Sequence, residues 1–376
     1  MMTSVDETGP VSKRVRLDPV GMSAIPLEGD KDLTLALAAF QRQAHEILDG
    51  GAGFARLVSF GGTRADWLAA CRAALTAQDA LTFFTTNFKA YRVHDEENAK
   101  GLFTGYYEPE VAGSRSQTAE FPVPLYRKPD DLVTFTEQEH RLTGLRYGRR
   151  DGGRALPYIE RREIERGALS GRGLEICWVK TWAEAFFLQI QGSGRVLLPG
   201  GEVLRLSYAA KSGLPYTGIG GVLAARGTIP REQMSMQSLK AWMNVNPDDA
   251  RHLMWQNKSF VFFREITVTD EALGAVGAAR VHLTPGRSLA VDRSNWMFGT
   301  PVWLETSYPP EAQRTEPDIK RLMIAQDTGS AIRGFARGDL YWGWGEDAAV
   351  IAGHMKSPGR MTVLLPHAVA KTVGLP

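Results

Sequence analysis

The stretch that decides the reading is RLMIAQDTGSAIRGFARGDLYWGWGEDAAVIAGHMKSPGR, residues 321–360. Its first apolar run reads as a strand that ends at Asp327, ahead of the turn formers Thr328-Gly329-Ser330. Further on, Asp339 stands between Gly338 and the run Leu340-Tyr341-Trp342. A carboxyl beside such a run is partly desolvated. Desolvation disfavours the charged form and keeps the acid protonated toward neutral pH, the state a general acid needs. The competing reading is a turn former, because Asp in glycine-rich turns commonly accepts from backbone N–H groups. Residue chemistry leaves both open and ranks Asp339 ahead of Asp327 and Asp292.

Working outward, 376 residues exceed what one hydrophobic core usually serves, so two domains are expected. A hydrophobic share of 43% with 23% charged residues argues against a largely disordered chain, and 39 glycines favour a turn-rich β fold. A net charge of +2 demands no nucleic-acid partner. Cys71 and Cys177 make neither a disulfide scaffold nor a metal pair, and two buried thiols are expected. Residues 1–26 hold no apolar core of signal-peptide type, so no signal peptide is visible, and no 18-residue apolar run occurs, so no transmembrane helix is expected. The chain has no G-x-S-x-G, no H-E-x-x-H, no Walker loop, and no G-x-G-x-x-G between strand and helix. Its scattered histidines lack zinc spacing. These absences point to an enzyme without metal or organic cofactor, or to a binding protein.

Residues 1–30 read as extended and irregular. Helical spacing predicts helices over 31–48, 63–77 and 80–87. From Ala90 to about Trp182 the pattern is short strands and turns. The basic run 146–154 reads as a solvated loop, with contact to anionic peptide stems as the alternative. Residues 176–208 read as strands, including AFFLQIQ, which would put Gln189 and Gln191 on one strand face. Two short helices are expected over 235–256, broken at Asn246-Pro247 and with Asp248 capping the second. Strands are expected again in SFVFFREI, ARVHLTP, PVWLET, RLMIAQDT and MTVLLP. The β segments are rich in aromatic residues, whose faces can stack on sugar C–H surfaces, with Gln189, Gln191, Ser193 and Thr104 as hydroxyl partners. The competing reading of each aromatic is ordinary core packing.

The ordered segments GLFTGYYEPEVAGSR (101–115), PLYRKPDDL (124–132), YIERREIERG (158–167), FFLQIQGSGRVLL (186–198), LPYTGIG (214–220), MNVNPDD (243–249), SFVFFRE (259–265), LTPGRSLAVDR (283–293), FGTPVWL (298–304), AQDTGSAIRG (325–334), RGDLYWGWG (337–345) and AGHMKSPGR (352–360) resemble the membrane-bound lytic murein transglycosylase A family. The resemblance implies a mainly β fold with N-terminal helices: a double-psi β-barrel domain carrying an inserted second β-barrel domain, with a groove between them. Residues 1–107 and 258–376 would form the first domain and 108–257 the insert. It implies Asp339 as catalytic acid, with Asp327 orienting the site and Asp292 completing a three-aspartate signature. Thr104, Tyr106, Gln191, Ser193, Gly329 and Ser330 would bind substrate.

The activity implied is cleavage of the β-1,4 bond between N-acetylmuramic acid (MurNAc) and N-acetylglucosamine (GlcNAc) in peptidoglycan, closing a 1,6-anhydro ring. No cofactor is implied. The expected partners are glycan strands, with cell-wall synthesis proteins as further candidates; the chain is expected to be monomeric, in the periplasm or at the outer membrane. The sequence departs from the family pattern at Ser330, where Gly is usual, at Trp296-Met297-Phe298-Gly299, where Ile-Pro-Leu-Gly is usual, and in showing no lipoprotein signal. The alternatives are a glycoside hydrolase using Asp327 and Asp339 together, and a non-catalytic wall-binding protein of expansin type.

Overall fold

The computed structural model describes residues 15–55, 58–95, 100–268 and 270–376. The reading of residues 1–14 as extended, and most of the signal-peptide segment, therefore lie outside the described residues. Among the described residues no helix is long and apolar enough to cross a membrane. The chain divides into two compact units. One comprises Met1–Tyr106, Ala272–Gly343 and Val350–Pro376; the other comprises Tyr107–Glu271 and Trp344–Ala349.

The first unit opens on a strand, Val15–Val20, paired antiparallel with Phe88–Asp95. Between them lie helices Leu33–Leu48, Arg64–Thr76 and Ala80–Asn87, close to the expected spans. The first helix buries Leu33, Leu37, Phe40, Ala44 and Ile47, the spacing of one helical face. The second is started by Asp66, whose carboxylate accepts from the Thr63 N–H at 2.7 Å. Their apolar faces share a core with Trp303, Leu322, Ile324 and Val363 of the sheet. Ahead of the helices, Asp30 forms a buried two-pronged pair with Arg287, both contacts at 2.6 Å, and also accepts from the Leu322 N–H. Asp30 thus ties the N-terminal segment to the residue before Ser288–Val291 and to the strand Asp318–Asp327.

The sheet of this unit runs in the order Val15–Val20, Phe88–Asp95, Arg360–Pro366, Pro301–Ser307, Asp318–Asp327, Ser288–Val291, Arg337–Trp344, Leu102–Glu108, Lys356–Pro358. Among the described residues this order does not close on itself. Pairing is parallel between Ser288–Val291 and Asp318–Asp327. The expected strand ARVHLTP does not form. Arg280 sits at φ 65° and donates its N–H to the Gly277 carbonyl, so the chain turns there, leaving one isolated bridge between Val276 and His282.

The second unit carries a six-stranded sheet in the order Val261–Ile266, Val203–Lys211, Ser193–Leu197, Glu110–Ser114, Glu175–Val179, Val123–Tyr126. Its two edges meet at an isolated parallel bridge between Arg127 and Phe263. Val261–Ile266 pairs with Val203–Lys211, so this strand belongs to the second unit and not beyond a boundary at 257/258. A small sheet of Val133–Thr134, Tyr147–Asp151 and Arg154–Leu156 completes the strands, and the basic run 146–154 forms a hairpin within it.

Several elements differ from expectation. AFFLQIQ is not a strand but the end of a helix, Trp182–Gln191. Thr181 and Glu184 form a reciprocal capping box at its start, and Gly192 closes it with φ 79°. The same Thr-x-x-Glu device, Thr136 with Glu139, starts a second unexpected helix at Glu137–Thr143. Helices Met236–Val245 and Pro247–Met254 fall as expected, but Asn246 occupies the N-cap of the second and Asp248 lies within its first turn. Arg161 is fully buried in this unit. It donates to the Asn257 and Ser259 carbonyls and to Gln189 Oε1, and pairs with Glu165 at 3.2 Å. Both cysteines are free and buried, and burial pushes both thiols up to about 12.

Candidate active site

Asp339 and Asp327 are brought to one level by sheet register. Ala290, in the middle of the sheet, pairs with Asp339 on one side and with Asp327 on the other. With neighbouring strands about 4.8 Å apart, the two backbones stand about 9.6 Å apart. Opposite directions of pairing make this alignment. Ser288–Val291 runs parallel to the strand ending at Asp327 and antiparallel to the strand carrying Asp339.

Side chains alternate across a strand, so residues two apart share a face. Arg337, Asp339 and Tyr341 lie on one face of their strand; Leu340, between them, packs in the main core. Thr104 and Tyr106 likewise share a face of Leu102–Glu108. Thr104 donates its hydroxyl to Asp339 Oδ1 at 2.5 Å, and Tyr106 donates its hydroxyl to Asp327 Oδ2 at 2.9 Å. Beneath the carboxylates is a small apolar cluster of Tyr106, Leu283, Ala290, Ile332 and Tyr341, with the two tyrosine rings 5.2 Å apart. Gly338 is required by close approach: a Cβ there would fall 2.9 Å from Leu289 Cδ1 and 3.1 Å from the Phe103 ring.

The two acids differ in what holds them. Asp327 Oδ1 accepts from the Ala278 and Thr328 N–H groups, both at 2.9 Å, while Oδ2 takes the Tyr106 hydroxyl. Burial lifts its pKa above the ordinary carboxylate value, and these three donors work against that rise. On Asp339, the Thr104 bond falls on Oδ1, and among the described residues no hydrogen bond falls on Oδ2. Its pKa is also raised. Burial is the main cause and the Asp327 charge adds to it, while Arg337 and the Thr104 bond oppose it. Both side chains retain some solvent exposure. Asp339 is therefore a carboxyl held toward its protonated form with one oxygen uncommitted, the arrangement of a proton donor.

Asp292 is different in kind. It is buried, which would raise its pKa, yet Ser294, the Gly334 N–H and the Arg333 guanidinium together bring it below the ordinary value. Its Oδ2 accepts from the Gly334 N–H at 2.9 Å and its Oδ1 from the Ser294 hydroxyl at 2.6 Å. It anchors the loop that follows Asp327, which carries Gly329 and Ser330. That loop is also held by Thr328, whose hydroxyl donates to the Val291 carbonyl at 2.8 Å.

The remaining predicted residues, Gln191 and Ser193, lie in the second unit. Gln191, at the end of its helix, accepts from the Tyr107 N–H at 3.2 Å. Ser193 is buried at the start of Ser193–Leu197. Gln189, expected beside Gln191 on a strand face, is committed to Arg161 in the interior. The sequence reading missed Arg337. Its Nη2 donates to the Thr104 hydroxyl oxygen at 2.8 Å, and its Nη1 donates to the Gly338 carbonyl. It precedes Asp339 by two positions, so strand alternation alone places it on the same face. Among the described residues no cluster of His, Cys, Asp and Glu is arranged to hold a metal.

With this geometry in view, the chain matches two family models, the MltA specific insert domain over residues 102–264 and the 3D domain over residues 287–365. The second is consistent with a double-psi barrel around the aspartates. A membrane-bound lytic murein transglycosylase A of Vibrio cholerae is 32% identical over 263 residues, 69% of this chain and 64% of that relative's length. The match thus spans just under two thirds of the curated relative. The crystal structure of a membrane-bound lytic murein transglycosylase from Agrobacterium tumefaciens superposes with TM-score 0.84 at 32% identity, covering 95% of this chain and 99% of the other. The structure of Escherichia coli MltA with bound chitohexaose superposes with TM-score 0.67 at 26% identity, covering 93% and 94%. The chain belongs to the membrane-bound lytic murein transglycosylase A family.

Proposed function

We propose that this chain is a lytic transglycosylase that cleaves the β-1,4 MurNAc–GlcNAc bond of peptidoglycan with Asp339 as its single general acid. The observation that carries the reading is the contrast between the two aspartates. Asp327 has both oxygens occupied by donors, while Asp339 is held toward protonation with Oδ2 uncommitted. A general base needs a free lone pair aimed at water, and on Asp327 three donors already fill three of about four acceptor positions. This favours one acid over the two-carboxylate hydrolase.

In the reaction, Asp339 gives its proton to the glycosidic oxygen as the bond from the MurNAc C1 breaks, and an oxocarbenium-like state develops on that ring. The carboxylate then takes the proton of the same ring's C6 hydroxyl, whose oxygen bonds to C1 and closes the 1,6-anhydro ring. The nucleophile is tethered to the electrophile, so high effective molarity replaces a positioned water. Asp327 orients Tyr106 and the loop after it. Thr104, Tyr106, Gln191, Ser193, Gly329 and Ser330 are the residues assigned to glycan contact. Support for a glycan substrate comes from the relative that binds chitohexaose, and support for a periplasmic, outer-membrane-associated place comes from relatives named as membrane-bound.

Digestion of purified sacculi by the wild type and by Asp339→Asn, with mass spectrometry of the products, tests this reading. Anhydromuropeptides from the wild type alone are expected. Products heavier by one water would make the protein a hydrolase. Binding of sacculi with no cleavage by a folded wild type would leave a wall-binding protein.

A further inference from the structure

We infer that Arg337 is a positioning residue that fixes the catalytic proton on Oδ2 of Asp339, acting through the Thr104 hydroxyl. The inference rests on Asp339 being the acid and concerns how that acid is set.

Hydrogen-bond directions decide where the proton sits. A guanidinium has donors and no acceptor, and a threonine hydroxyl has one hydrogen and two lone pairs. Arg337 Nη2 lies 2.8 Å from Thr104 Oγ1 and can only donate to it. The hydroxyl's own hydrogen is thereby left for Asp339 Oδ1, 2.5 Å away. Oδ1 is then an acceptor, and the proton of the neutral acid resides on Oδ2, which no described residue engages. The reverse arrangement, with Oδ1 protonated and donating to Thr104, leaves the threonine hydrogen without an acceptor. Arg337 is held in place by its bond to the Gly338 carbonyl and by being partly buried. The same chain of donors serves the other half of the cycle. Once Asp339 is anionic, the Arg337 charge and the short Thr104 bond stabilise the carboxylate, so an acid that burial would otherwise weaken can still part with its proton.

The charged and titratable groups around Asp339 can be named strand by strand. Its own strand contributes Arg337 and Tyr341. Leu102–Glu108 contributes Thr104 and Tyr106, and Asp318–Asp327 contributes Asp327. Ser288–Val291 contributes the uncharged Ala290. Lys356 is the register partner of Thr104 on the strand beyond and is exposed. Arg337 is the cation hydrogen-bonded into the relay.

The test compares Arg337→Met, Arg337→Lys, Thr104→Val and the Arg337→Met/Thr104→Val double variant, with the Asp339 carboxyl titrated by NMR and assigned against Asp339→Asn. In Arg337→Met the Asp339 titration is expected to move upward by about one pH unit. On sacculi, kcat should fall about tenfold with KM unchanged, and the alkaline limb of kcat should move the same way. Arg337→Lys, which restores a cation and a donor, should recover most of the titration shift. The Met substitution should cost much less in the Thr104→Val background than in the wild type. An Asp339 titration unmoved in folded Arg337→Met, or losses in the two single variants that simply add, would overturn the inference. The substrate-free titration separates its failure from failure of the proposed activity: a wild type that yields no anhydromuropeptides refutes the activity, whatever the titration shows.

Discussion

Asp327 and Asp339 share one register partner, Ala290, so two carboxylates stand level with each other on strands that flank a common neighbour. Each raised acid is served by a different residue of one strand face, Tyr106 for Asp327 and Thr104 for Asp339. The pair has the placement of a two-acid site, but its hydrogen bonding commits one member and leaves the other able to exchange a proton.

Asp339→Asn should cut cleavage severely and stabilise the fold. The amide keeps an oxygen for Thr104 and removes the charge that burial disfavours. The sign follows from linkage. The folded-state pKa of Asp339 is raised, so the native protein binds more protons than the unfolded chain, and stability falls as pH rises from the unfolded value toward the raised one. The variant should therefore melt higher than the wild type at pH 7, with the difference closing as pH falls below the unfolded carboxyl value near 3.8. Turnover should fall by about 10²–10⁴-fold. Thermal melts at two pH values and a sacculus assay check both halves.

Asp327→Asn should be much milder. The amide oxygen can still accept from Ala278 and Thr328, and its nitrogen can donate to Tyr106. About a tenfold loss is expected, below the loss for removing a general acid or base. Because the Asp327 charge raises the pKa of Asp339, the alkaline limb should move to lower pH in this variant. A loss as complete as that of Asp339→Asn would favour the hydrolase instead.

Asp292→Ala should loosen the loop after Asp327. It takes the acceptor from the half-buried Gly334 N–H and from the exposed Ser294 hydroxyl, at a cost of about 1 kcal/mol. Here the sign is opposite to that of Asp339. The folded pKa is lowered, so the wild type holds this stability above the unfolded carboxyl value and loses it as pH falls through the lowered folded one. Urea titrations should show the gap between wild type and variant at pH 7 narrowing below pH 3.8.

Asp30→Ala leaves Arg287 buried without its carboxylate and frees the Leu322 N–H, and should cost about 3–5 kcal/mol. Replacing Asp30 and Arg287 together with apolar residues of similar volume should cost far less, because no charge is then stranded. Chemical denaturation of the wild type and the two variants separates these outcomes.

Local pattern alone determined much of this protein. The three N-terminal helices, the helix break at Asn246-Pro247 and the strand ending at Asp327 were all legible, because each is marked by a pattern among residues close in sequence. The helix Trp182–Gln191 was legible too, in the Thr181-x-x-Glu184 capping box, but its apolar run matches a strand equally well, and Gln189 was misplaced with it. What only tertiary structure decided is the state of the acids. Thr104 and Asp339 are 235 positions apart, and Tyr106 and Asp327 are 221 apart. Which carboxylate has both oxygens taken, and which keeps one for substrate, depends on a strand from early in the chain pairing beside one from near its end. A hydrogen bond depends on positions in space that sequence separation does not encode, whereas a helix or a turn is set by neighbours along the chain.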